Sequence, residues 1–123
     1  MIRKSTADYV QVTDQDEAVV MRIMEGRRGH ESAVSQVELI RLLAMVGYHF
    51  DDRKVRAVVN SLRKKGVELC SSGGSAGGYW LAKDGRELTE YIDSMLSVMK
   101  DYAVQVKALR ATRVRKYSQD TLF

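Results

Sequence analysis

Between Asp51 and Ala82 the chain reads DDRKVRAVVNSLRKKGVELCSSGGSAGGYWLA, and the order of residue types there narrows the fold more than any other stretch. Val55, Val58, Val59 and Leu62 recur at helical spacing and define one apolar face. Arg53, Arg56, Asn60, Arg63 and Lys64 lie opposite it, and Lys65 closes the basic run. Asp51 or Asp52 can cap the start of this helix, and Gly66 supplies the left-handed residue that ends it. Val67–Ser71 and Tyr79–Ala82 then read as two hairpin strands joined by the tip Ser72-Gly-Gly-Ser-Ala-Gly-Gly78.

Upstream, with no proline anywhere, helix ends must be read from caps and glycines. Thr13, with Asp16 three residues on, opens a first helix running to about Glu25, and Gly26-Arg-Arg-Gly29 stops it. Ser35-Gln-Val-Glu38 is a capping box for a short second helix with Val37, Leu39, Ile40, Leu42, Leu43 and Val46 as its apolar residues, ended by Gly47. The turn Gly47–Phe50 has helix-turn-helix length, and Ser32–Val34 can form a short first strand. Helix, turn, basic helix, strand, glycine-rich tip and strand is the order of a winged helix-turn-helix, mainly α with a small β-hairpin. The expected organisation is an N-terminal arm over 1–12, the winged domain over 13–83, a long helix over 84–117 and an extended tail over 118–123.

The long helix carries a heptad pattern, with Ile92, Met99 and Val106 at one core position and Leu88, Met95, Tyr102 and Leu109 at the other. Branched residues at the first position and leucine at the second lean toward a parallel pair of helices. Burying each such side chain is worth about 1.5–3 kcal/mol, so the stripe needs cover. Leu88, Ile92 and Met95 are expected to pack on the winged body, and Met99, Tyr102, Val106 and Leu109 to form a homodimer interface. At about 1.5 Å per residue the helix is about 50 Å long, which exceeds the width of the preceding domain.

Charge directs the functional reading. The net charge is only +4, but Asp51–Gly66 carries six basic residues against two acidic, and Lys100–Phe123 six against two. Basic charge gathered into blocks suits phosphate contact. Arg53 and Arg56, near the helix N-terminus, are placed to meet base edges, and Asn60 can pair with adenine. Arg63, Lys64 and Lys65 suit backbone phosphates. Ser72, Gly73, Gly74 and Ser75 suit a hairpin tip that approaches the duplex closely.

Other classes find little support. A single cysteine, Cys70, provides no disulfide framework, and neither His30 nor His49 has ligand-spaced neighbours, so no metal site or cofactor is expected. No catalytic constellation or nucleotide motif is present, which points to a non-enzymatic protein. MIRKSTADYV lacks the apolar core of a signal peptide, and no run suits a membrane span, so a cytoplasmic location is expected.

The segment DRKVRAVVNSLRKKGVELCSS…GGYWLAKDGRELTEYIDSM resembles the small winged-helix proteins of bacteriophage and prophage replication regions, over roughly Val37 to Thr112. That resemblance implies DNA binding and association with phage DNA replication or its control; double-stranded DNA is the expected partner and the bacterial host cytoplasm the expected location, with strandedness itself left open by the residues. Separately, Gln119, Leu122 and Phe123 resemble the bacterial sliding-clamp-binding motif, in which the two apolar residues fill a pocket and the glutamine bonds at its rim. Two other readings stay open: a transcriptional regulator, and an interaction adaptor that does not bind DNA.

Overall fold

The computed structural model describes residues 10–73 and 77–118. Its elements are α1 (Asp14–Met24), a 3₁₀ turn (His30–Ser32), α2 (Gln36–Met45), α3 (Asp52–Lys64), β1 (Leu69–Ser71), β2 (Tyr79–Leu81) and α4 (Gly85–Tyr117). The protein is thus mainly helical, with a two-stranded antiparallel sheet and a long C-terminal helix. Two compact units divide between Leu88 and Thr89.

Local chemistry sets the helix boundaries. Thr13 Oγ1 accepts from the Asp16 amide at 3.1 Å, and the Asp16 carboxylate accepts in return from the Thr13 amide at 3.0 Å, a complete capping box. Only half of the box at α2 forms. Ser35 Oγ accepts from the Glu38 amide, but the Glu38 carboxylate turns to Arg41, one helical turn on, at 2.5 Å. For α3 the cap is Asp51, whose carboxylate accepts from the Lys54 amide at 2.8 Å. Both α2 and α3 end in the same way: Gly47 and Gly66 take φ of +91° and +89°, letting the next amide reach back. Tyr48 N–H thereby donates to Leu43 O, and Val67 N–H to Leu62 O, at 2.9 and 3.0 Å.

The core of the N-terminal unit joins Val20 and Met24 of α1, Leu39 and Leu43 of α2, the four apolar residues of α3, and Leu69, Tyr79 and Leu81 of the hairpin. Leu69 faces Leu81 and Ser71 faces Tyr79, so alternation turns that side of the sheet inward. Cys70 and Trp80, paired on the other side, are also buried, and the His30 ring meets the Trp80 indole edge-on at 4.6 Å. Both members of the Tyr79-Trp80 pair are therefore interior. The expected first strand is reduced to a single bridge: Val34 exchanges two hydrogen bonds with Tyr79, while residues 30–32 coil into the 3₁₀ turn.

Some apolar residues lie elsewhere than expected. Val37 and Val46 are exposed. Val37 sits two residues, hence about 200° around the helix, from buried Leu39, and Val46 lies past the last turn of α2. In α4, Leu88 is half-buried, and Ile92 and Met95 are each 45% exposed.

A Cβ at Gly66 would meet no atom within 4 Å, so Gly66→Ala tests the left-handed backbone alone. It should lower the unfolding free energy by about 1–2 kcal/mol in urea denaturation.

Candidate nucleic-acid interface

The roll of α3 about its own axis is set by two neighbouring acids of α1. Asp16 and Glu17 are each only 8% exposed, and both face α3. Lys54, in the first turn of α3, reaches the Asp16 carboxylate at 2.9 Å and donates to the Gln11 carbonyl. Its ammonium also lies 5.4 Å from the centre of the Phe50 ring. At the other end, Glu17 accepts from Ser61 Oγ at 2.5 Å and from Lys65 Nζ at 2.6 Å.

Both carboxyls are held below their usual range. Burial pushes Asp16 upward, but the Thr13 amide and the Lys54 ammonium outweigh it. For Glu17 the hydrogen bonds from Lys65 and Ser61 dominate, and they hold its carboxyl down against burial and the neighbouring Asp16 charge.

With its flanks held in this way, α3 turns Val55, Val58, Val59 and Leu62 inward and Arg53, Arg56, Asn60 and Lys64 outward. Spacings of three, four and four residues put the outward four in one row, about 16 Å long at 1.5 Å per residue. All four are exposed, and none makes a side-chain hydrogen bond or ion pair among the described residues. The row combines two forked guanidinium groups, an amide and an ammonium, all able to donate and none negatively charged.

Arg63 and Lys65, grouped with this row in the sequence reading, have other partners. Lys65 is the Glu17 contact just described. Arg63 is half-buried; its Nε donates to Leu69 O at 2.6 Å and its Nη2 to Ser71 Oγ at 2.9 Å. It therefore fastens the root of the hairpin to α3. A second tie joins the hairpin to α2, where Tyr79 Oη donates to the Gln36 side chain at 2.7 Å. Ser72 and Gly73 follow directly from this anchored root and are exposed. Gly74 and Ser75 lie outside the described residues. Gly77 and Gly78 have a packing role that their tip position concealed: a Cβ at either would fall within 2.2 and 2.7 Å of the carbonyl oxygens of Ser72 and Val34.

Met99, Tyr102, Val106 and Leu109 lie on α4, all exposed. Gln119, Leu122 and Phe123 lie outside the described residues. No cluster of three or more His, Cys, Asp or Glu residues gathers among the described residues, and no helix among them is long and apolar enough to cross a membrane. Burial pushes the Cys70 thiol up, with the Glu87 carboxylate adding to the effect, so it is not poised as a nucleophile. Comparison with protein-family models, curated proteins and solved structures returns no match for this chain.

Two outcomes follow from this geometry. Arg63→Ala should cost about 1–3 kcal/mol in urea denaturation, because two charge-assisted bonds are lost, whereas Lys64→Ala should stay within about 0.5 kcal/mol. Because folding lowers the Asp16 and Glu17 pKa values, their stabilisation is complete above the ordinary carboxylate range and is lost as pH falls through that range and on through the lowered folded-state values. Denaturation midpoints should therefore drop as pH falls below about 5 and keep dropping beneath about 3, with a shallower drop in the Asp16→Asn/Glu17→Gln variant.

Proposed function

We propose that this protein is a non-enzymatic winged helix-turn-helix DNA-binding protein acting in or around bacteriophage DNA replication. The observation that carries the reading is the outward row Arg53, Arg56, Asn60 and Lys64, exposed and without a side-chain partner among the described residues, on a helix whose Lys54, Ser61, Arg63 and Lys65 are all engaged. An exposed basic row with no ion-pair partner among the described residues, next to an anchored hairpin, is suited to a polyanion with regularly spaced phosphates. The guanidinium forks of Arg53 and Arg56 match the acceptor pair on a guanine edge, the Asn60 amide matches adenine, and Lys64 suits a phosphate. Ser72 and Gly73 reach the backbone beside the same groove, and Arg63 acts as a positioning residue that keeps the hairpin in register with the helix.

The replication context rests on the resemblance carried by residues 37–112 to winged-helix proteins of phage replication regions. Recruitment to the host sliding clamp rests on Gln119, Leu122 and Phe123. Weak attachment of this kind gains strength once DNA and clamp are already together, because the second contact becomes intramolecular. The exposed stripe of α4 supports pairing with a second copy.

Electrophoretic mobility shift across a salt series tests the DNA reading. Binding should weaken steeply as salt rises. Lys64→Ala should reduce affinity on every sequence alike and lower the magnitude of the salt slope by about 1. Arg56→Ala should cost about 1–3 kcal/mol on a preferred site and less elsewhere. Absence of binding even at low salt would remove the DNA reading and leave an interaction adaptor.

A further inference from the structure

We infer that α4 pairs with α4 of a second copy in antiparallel orientation, centred between Met99 and Tyr102. The inference deepens the self-association proposed above and is independent of DNA binding. From Tyr91 to Leu109 no charged residue occupies either heptad core position or the two positions flanking the core, so an uncharged band wider than a narrow seam runs for five turns. Its six core residues, Ile92, Met95, Met99, Tyr102, Val106 and Leu109, are between 44% and 67% exposed.

Charge complementarity selects the second copy as the occupant and fixes its direction. Gly85–Ser97 carries three acidic side chains and one basic, whereas Val104–Tyr117 carries five basic and none acidic. A parallel pair sets the two strongly basic ends side by side. It also places Arg113 and Lys116, the next residues in the core register, each against its own copy. An antiparallel pair sets each basic end along the acidic end of the other helix, and the helix dipoles then oppose favourably.

Side-chain volumes agree. In the antiparallel register the core layers are Ile92 with Leu109 of the second copy, Met95 with Val106, and Met99 with Tyr102, each from one copy to the other. Every layer joins residues of different shape, and the flexible methionine lies against the phenol ring. A parallel pair stacks Tyr102 on Tyr102. The preference for a parallel pair drawn from branched residues at one core position is thus outweighed by the charge gradient. One consequence is spatial: the starting residues of the two α4 helices lie about 45 Å apart, at opposite ends of the pair.

Sedimentation of the full chain, combined with disulfide trapping in a Cys70→Ala background, tests both association and direction. The expected result is a dimer mass. Ile92→Cys and Leu109→Cys should each fail to cross-link alone under mild oxidation, and a mixture of the two should give a covalent dimer. Self-linking of either single variant, or a dimer whose mixture does not link, would overturn the antiparallel pair while leaving self-association standing. A monomer mass would overturn both, and neither result bears on the mobility shift.

Discussion

The arrangement of the N-terminal unit depends on the grip of two adjacent carboxylates on one helix. Asp16 and Glu17 sit side by side on α1 and reach opposite ends of α3, one to Lys54 and the other to Ser61 and Lys65. Exposed ion pairs contribute little to stability, but these acids are nearly buried, and each accepts a second hydrogen bond besides its lysine, from the Thr13 amide and from Ser61 Oγ. Their effect is also geometric. The valine face of α3 sets which side of the helix packs inward. Two charged anchors eleven residues apart on the helix tie both of its ends to α1 in the same orientation.

Once the roll is fixed, the outward row is determined. Arg53, Arg56, Asn60 and Lys64 face away from every anchored flank, and Arg63 projects sideways to hold the hairpin. The helix therefore uses its cations in two ways: Lys54, Arg63 and Lys65 bind the protein to itself, while the remaining three stay available for an external anion. On the DNA-binding reading proposed above, that division would give a rigidly placed set of donors, which discrimination among base edges requires.

Much of this was legible in the chain because the signals are local. Thr13, Asp51, Gly47 and Gly66 act through hydrogen bonds spanning three to five residues, so composition at the helix ends defined the elements. The assignment of Arg63 and Lys65 was not legible. They share type and neighbourhood with Lys64, and only the tertiary positions of Leu69, Ser71 and Glu17 separate them. Gly77 and Gly78 gave the same difficulty, since a flexible tip and a close approach to the Val34 carbonyl both call for glycine. The acids on α1 carried a partial signal: Asp16 was accounted for by its capping role, which hid its second contact with Lys54. On α4, periodicity marked the stripe, but a period says only that a face is apolar, not what covers it.

The division of cations on α3 can be observed directly by NMR titration of the full chain with duplex DNA at low salt, following the arginine side-chain Nε–H signals. The account predicts that the signals of Arg53 and Arg56 shift on binding, while that of Arg63, already donating to Leu69 O, stays near its free position. Movement of Arg63 with Arg53 and Arg56 unchanged would contradict it.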